Sequence, residues 1–329
     1  MRLRYALAEL STQIAEALRV LIMQAFLAPA AYWLPKSWAL AAANVLSLSL
    51  LILPAPGFRA CRRMRRLFGG SPYRSFQLAW GWIARPFRDF VILKRVMYGR
   101  EDVSRWRIVE RNSEAVARLR ESGQSFIVAT AHFERAALLA VACPRVTPGN
   151  YIQVGHATPS RLNSLYNLRL RIQYGTMLKV LSTAWRRPFE FAYTNTGQPT
   201  ARMLHERLSK PGTIINIHLD APWPQRATGS YCRPFAGMKE RSFATGAAQL
   251  AKLCRCPLVS CVYWRDDDGT VFIQWGSPIL HVDDEIDTMN RLIDTLEAAV
   301  GERPTQYVLE IGQERRWNAT HRIWEQATV

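Results

Sequence analysis

The stretch Ala129–Leu139, ATAHFERAALL, decides how the chain is read. It closes the apolar run Phe126-Ile127-Val128-Ala129, which has the length and composition of a buried strand, and it continues into a helical pattern. At the junction stands His132, with Glu134 two residues later. A His at the end of a buried strand, with a carboxylate in the first turn of the next helix, is a general-base arrangement. The carboxylate accepts from one imidazole nitrogen and fixes the tautomer, and the other nitrogen takes a proton from an attacking hydroxyl. No Ser or Cys nearby offers a covalent nucleophile, so the hydroxyl would belong to the substrate. A lone His-x-Glu is a weak signal.

Outward from this junction, strand-like and helix-like segments alternate. Ser125–Ala131, Tyr151–Val154, Ile214–His218, Leu258–Tyr263 and Val271–Trp275 read as strands, with Tyr307–Ile311 as a further one. NSEAVARLRESG reads as a helix opened by Asn112 or Ser113 and closed by Gly123. PTARMLHERLSKPG, ATGAAQLAKLC and EIDTMNRLIDTLEAAVG have helical spacing, and in HVDDEIDT the acids suit a helix start. The pattern predicts an α/β layered domain around a largely parallel sheet. Upstream, SPYRSFQLAWGWIARPFRDFVILKRV reads as an amphipathic helix.

The N-terminus differs in kind. Val20–Pro35 and Ser37–Phe58 carry no charge, and RACRRMRR follows with Arg59, Arg62, Arg63, Arg65 and Arg66. An apolar segment abutting a basic cluster predicts an anchor on an anionic, cytoplasmic membrane face, either as a span or hairpin or as an in-plane helix. The predicted division is therefore an apolar helical region over 1–66 and an α/β domain over 67–329. The whole chain has 43 Lys and Arg against 26 Asp and Glu, a net charge of +17, which calls for an anionic partner. Charge alone would also allow nucleic acid. No aromatic-basic recognition motif accompanies it, so nucleic acid is not expected.

Six cysteines lie scattered without a Cys-x-x-Cys, as expected of reduced, buried thiols. The P-loop, the dinucleotide fingerprint, the Gly-x-Ser-x-Gly elbow and the His-Glu-x-x-His zinc helix are all missing from the sequence. No metal is expected. His218 stands close to Asp220 at a strand end, which makes that pair a candidate for lining a site.

The order of segments resembles the bacterial lipid A biosynthesis acyltransferases of the lysophospholipid acyltransferase superfamily. The resemblance runs from the apolar N-terminus and YRSFQLAWGWIARPFRDF through the strand into AHFE. It continues through INIHLDAPWP with Asp220, RPFAGMKERSFATGAAQLAKLCRCPLVSCVYW and ERPTQYVLEIGQERRW. Asp220, Phe235, Thr245, Gly246, Pro257, Pro304, Gln306, Tyr307, Arg316 and Trp317 match family features in order. The resemblance implies a glycerol-acyltransferase-like layered domain and a fatty acyl thioester donor, on acyl carrier protein or coenzyme A. It implies a lipid hydroxyl as acceptor, the cytoplasmic face of a bacterial inner membrane, no cofactor beyond the thioester co-substrate, and a monomer. His132 would be the base and Glu134 its partner. Arg135, Arg161, Asp220, Lys239 and Arg241 would bind substrate.

The departure is at the chemistry. The family places its acid five positions after the His, where this chain has Ala137. A deletion of three residues, close to one helical turn, would keep Glu134 near the imidazole. An ungapped alignment instead loses the acid and leaves a weakened enzyme or a binding accessory protein.

Overall fold

The computed structural model describes residues 14–15, 17–52, 54–133, 150–155, 172, 175–176, 179–180, 190–193, 200–220, 230–266, 268–307, 315–318 and 323–326. The chain divides into two compact units. One comprises Trp106–Ala157, Arg187–Arg303 and Leu309–Val329, and the other Met1–Arg105, Thr158–Arg186 and Pro304–Val308.

The first unit is built on a seven-stranded sheet. Its strands are β1 (Ile108–Arg111), β2 (Phe126–Thr130), β3 (Asn150–Gly155), β4 (Glu190–Tyr193), β5 (Thr213–His218), β8 (Leu258–Arg265) and β9 (Val271–Trp275), in the order β1-β9-β8-β2-β5-β3-β4. Every neighbouring pair is parallel except β8 with β9, so β1 and β9 run against the other five. Two short antiparallel pairs lie outside this sheet: β6 (Ser230–Phe235) with β7 (Met238–Ala244), and β10 (Arg315–Asn318) with β11 (Ile323–Gln326).

The sequence explains which strands sit in the middle. β2 is FIVAT and β8 is LVSCVYWR, and every residue of both is buried. Unbroken apolar runs of this kind belong to parallel strands covered on both faces. β9, VFIQW, alternates buried and half-buried positions, as a strand with one covered face does. β1, IVER, lies at the edge and is only half buried. Its Glu110 carboxylate accepts from Arg120 at 2.7 Å and from Trp275 Nε1 at 2.7 Å, which ties the edge to β9 and to the helix that follows.

The helices of this unit pack on the sheet. α5 (Glu114–Glu121) follows β1, and Gly123 beyond it turns the chain at a φ of +67°, a left-handed conformation that suits glycine. Ser113 holds the cap position of α5 without a side-chain cap bond. α6 (Thr200–Leu208) lies on β4 and β5, α7 (Gly246–Cys254) on β2 and β8, and α8 (Glu285–Glu302) on β8. α8 starts as its acidic prelude predicts: the Asp284 carboxylate accepts from the backbone N–H groups of Ile286 and Asp287.

The second unit is helical among its described residues. α1 (Ala28–Trp33), α2 (Lys36–Ile52), α3 (Pro54–Phe68) and α4 (Pro72–Met97) share one apolar core that includes Leu27, Ala43, Leu50, Met64, Phe90 and Val91. Arg95 on α4 is buried and spends its guanidinium on the carbonyls of Ala31 and Leu34, at 3.1 and 2.8 Å, where α1 ends. Within the run Ser37–Phe58, α2 is described as far as Ile52 and α3 from Pro54, and Leu53 lies outside the described residues. Among the described residues no helix is long and apolar enough to cross a membrane. The described residues therefore lend no support to the expected spanning anchor. Of the expected strand Tyr307–Ile311, residues 308–311 lie outside the described residues.

Candidate active site

The carboxyl ends of β2 and β5 lie side by side, with Thr130 opposite His218 in the register. The ladder runs one step past both strands, because the Leu219 N–H donates to the Thr130 carbonyl at 2.9 Å. This step carries His132 and Asp220 to the same edge of the sheet. The edge at the carboxyl ends of parallel strands is where open α/β sheets place their ligands.

There the Asp220 carboxylate grips His132 at two points. Oδ2 accepts the His132 backbone N–H at 3.0 Å, and Oδ1 meets ring Nδ1 at 2.7 Å. Asp220 is fully buried, whereas the His132 side chain is 26% exposed. Burial pushes the Asp220 carboxyl up. The His132 charge and hydrogen bond, then Arg241 and His218, outweigh burial and hold it well below the usual carboxylate range. An ionised carboxylate can only accept, so Nδ1 carries a proton, and in the neutral ring Nε2 then presents its lone pair. Such an arrangement can serve as a general base, with its tautomer fixed from behind.

Two further layers support it. Arg241, on β7, donates to the Asp220 carbonyl at 3.2 Å and lies over the Phe235 and Phe243 rings. The His218 ring lies against the His132 ring, with centroids 4.3 Å apart and planes tilted by 35°. Burial first, and the neighbouring His132 charge second, lower the His218 pKa to about 3, against a smaller pull upward from Asp220. His218 therefore enters the folded state neutral.

The depressed value has a consequence for stability. The unfolded chain takes up a proton at His218 near pH 6.5, and the folded protein resists it down to about pH 3. Stability from this group is complete above about pH 6.5 and is lost as the pH falls, by up to about 1.4 kcal/mol per pH unit. Asp220 is depressed as well, so its contribution is present above about pH 4 and lost only below that. Among the described residues, the charged groups facing His218 are His132 and Asp220, with Arg241 acting on Asp220. Unfolding free energies at pH 7.5 and 5 are expected to fall less steeply in His218→Phe than in the wild type. Equal slopes would refute the neutral His218.

The sequence had singled out seven residues, and the structure brings His132, Asp220 and Arg241 together. Glu134, Arg135 and Arg161 lie outside the described residues. Lys239 is on β7, and its side chain lies outside them too. Two participants had no place in the sequence reading: Gln153 on β3 and Asn216 on β5 are buried, paired in the register and hydrogen-bonded at 2.7 Å. Their signal was a polar residue inside each of two apolar strand runs, YIQVG and IINIH. His205 is exposed on α6. Among the described residues no three His, Cys, Asp or Glu side chains come together as a metal site would require.

No curated protein matches the sequence. A family model, bacterial lipid A biosynthesis acyltransferase, matches residues 224–317. The matched part runs from β6 and β7 through α7, β8, β9 and α8 to β10, and begins just after Asp220. Over that part the chain is similar to the bacterial lipid A biosynthesis acyltransferases.

Proposed function

We propose that this protein moves a fatty acyl chain from a thioester, on acyl carrier protein or coenzyme A, to a hydroxyl of a lipid A precursor, lysophospholipid or related glycolipid. His132 is the general base. The observation that carries this reading is the two-point grip of Asp220 on His132, which leaves Nε2 as the nitrogen to meet a substrate hydroxyl. As the acceptor oxygen bonds to the thioester carbon, its proton passes to Nε2 and the carbonyl π pair moves onto the carbonyl oxygen. Collapse restores the C=O bond, breaks the C–S bond and returns the proton from Nε2 to the departing thiolate. Arg241, with Lys239 two positions earlier on the same strand and Arg135 and Arg161 elsewhere, is proposed to meet the phosphates of acceptor or carrier. A second reading gives Glu134 the place of Asp220, from its position two residues after His132.

The test is transfer itself. Purified protein is given labelled acyl-carrier-protein and acyl-coenzyme A donors with a panel of hydroxylated lipids. A labelled acyl ester on one of them is the expected result. Donor binding without transfer to any acceptor would overturn the catalytic reading in favour of an accessory role.

We also propose that the helical unit rests on the cytoplasmic face of the inner membrane, in the plane of the bilayer. Trp33 and Trp38 are 75% and 69% exposed and Tyr73 is 70% exposed. Arg62, Arg65 and Arg66 are exposed on α3, whose Ala60 and Met64 are buried. Exposed aromatics with a basic helix face are the makings of interfacial binding to anionic lipid. The protein is expected to float with phosphatidylglycerol-containing vesicles at low salt, and less so in about 0.5 M salt, where charges are screened. Equal flotation with purely zwitterionic vesicles would remove the electrostatic part of this proposal.

A further inference from the structure

His218 is the group beside the base that the mechanism leaves unused. Its Nδ1 lies 3.3 Å from Gln153 Nε2. The same Gln153 nitrogen faces the carbonyls of Val154, at 2.9 Å, and Asn216, at 3.4 Å. Carbonyl oxygens only accept, so the amide must turn its NH2 group this way. Gln153 Oε1, on its other side, accepts from the Asn216 side chain at 2.7 Å. The orientation of the amide is therefore settled by groups other than His218. An NH2 group offers no lone pair, so His218 Nδ1 must be the acceptor and its single proton must sit on Nε2.

That Nε2–H is covered, and it has no hydrogen-bond partner among the described residues, although His218 keeps part of its surface exposed. Nearly all buried donors are paired, and a catalytic role is among the recognised reasons for an exception. The donor belongs to a ring packed against the ring of the general base, at the carboxyl edge of the adjoining parallel strand. A neutral, pre-oriented donor in that place has the properties of a group that meets developing negative charge.

We infer that His218 is a catalytic residue that donates from Nε2 to the thioester carbonyl oxygen as it becomes an oxyanion, with Gln153 and Asn216 holding the required tautomer. The carbonyl π pair displaced by the attacking hydroxyl comes to rest on the oxygen held by His218 and returns when the C–S bond breaks. No proton leaves His218 at any step. Its low pKa keeps the ring neutral, so it does not place a second positive charge beside His132. This inference rests on the acyl-transfer reading.

The experiment has two arms, run on the full-length protein. In the first, ¹⁵N NMR of histidine-labelled protein assigns His218 by difference against His218→Phe. A pyrrole-type Nε2 and a pyridine-type Nδ1 are expected from pH 8 to pH 5. The opposite tautomer, or a doubly protonated ring in that range, would overturn the inference. In the second, kcat and KM are measured for the wild type, His218→Phe and His218→Gln. The Phe variant keeps the ring packing and loses the donor, whereas the Gln amide restores an N–H near the Nε2 position. His218→Phe should lose about 100-fold in kcat, the scale of one oxyanion donor, with KM within about threefold. His218→Gln should recover about tenfold of that loss. A Phe variant with near-wild-type kcat, a loss confined to KM, or equal impairment in Phe and Gln would each overturn the role. A wild type that transfers nothing defeats the acyl-transfer reading itself, whereas an active wild type with an unimpaired Phe variant defeats this inference alone.

Discussion

Replacing His132 is expected to lower kcat by about 10⁴-fold, the upper end of what one general base contributes. The expectation follows from the grip on Nδ1, which leaves a single nitrogen able to accept the hydroxyl proton. His132→Ala alone would give an ambiguous result. It takes the ring donor from a fully buried carboxylate, and leaving a buried polar group unsatisfied costs about 1–3 kcal/mol, more for a charged one. His132→Asn separates the two effects. Its amide nitrogen falls near the Nδ1 position and can still donate to Asp220, but it cannot act as a base. We expect His132→Asn to melt close to the wild type and to transfer as little as His132→Ala. Substantial transfer by a folded His132→Asn would end the general-base assignment.

Asp220→Asn should cost about 10³–10⁴-fold in kcat, and the geometry says why. One carboxylate oxygen accepts the His132 backbone N–H, so in the variant the amide oxygen must keep that place. The NH2 group is then forced opposite Nδ1. It can donate only to an unprotonated Nδ1, which pushes the imidazole proton to Nε2 and blocks the nitrogen that should receive the hydroxyl proton. The ring stays in position while the tautomer is reversed. KM should change little, since the loss arises in the transition state. Glu134→Gln serves as the comparison: with Asp220 as the orienting acid, its kcat stays within a few fold of the wild type. A reversed outcome, in which Glu134→Gln is crippled and Asp220→Asn active, would assign the orienting role to Glu134.

How far this could be read from sequence depended on the distance over which each signal acts. The buried strands β2, β5, β8 and β9 announce themselves through continuous or alternating apolar runs. α8 announces itself through Asp284 and the acids after it. Strand β1 does not, because IVER is four residues long, half of them charged, and its place is fixed by Arg120 and Trp275 rather than by its own composition. The β6–β7 hairpin is also opaque, since SYCRPF and MKERSFA carry a proline and charges that argue against strands. His132 was legible as the residue where a strand ends. Its contact with Asp220 was not, because 88 residues separate them and only the sheet register makes them neighbours. A local acid such as Glu134 is the natural candidate when sequence distance is the only ruler. Gln153 and Asn216 show the same limit: each reads as an irregularity in an apolar strand until pairing sets one opposite the other.

The strand that ends at the base has consequences for how the protein comes into being. β2 is flanked by β5 and β8, and Thr130 contacts Cys261, 131 residues further along the chain. Pairings across such separations pay their loop-closure entropy before any contact rewards them, so they form slowly and late. During synthesis, His132 emerges well before the strands that flank it. His132, Asp220 and His218 thus come together in the same cooperative step that completes the centre of the sheet. A nascent chain holds no partial version of this site, and the proposed acyl transfer would mark the moment when the whole sheet has closed.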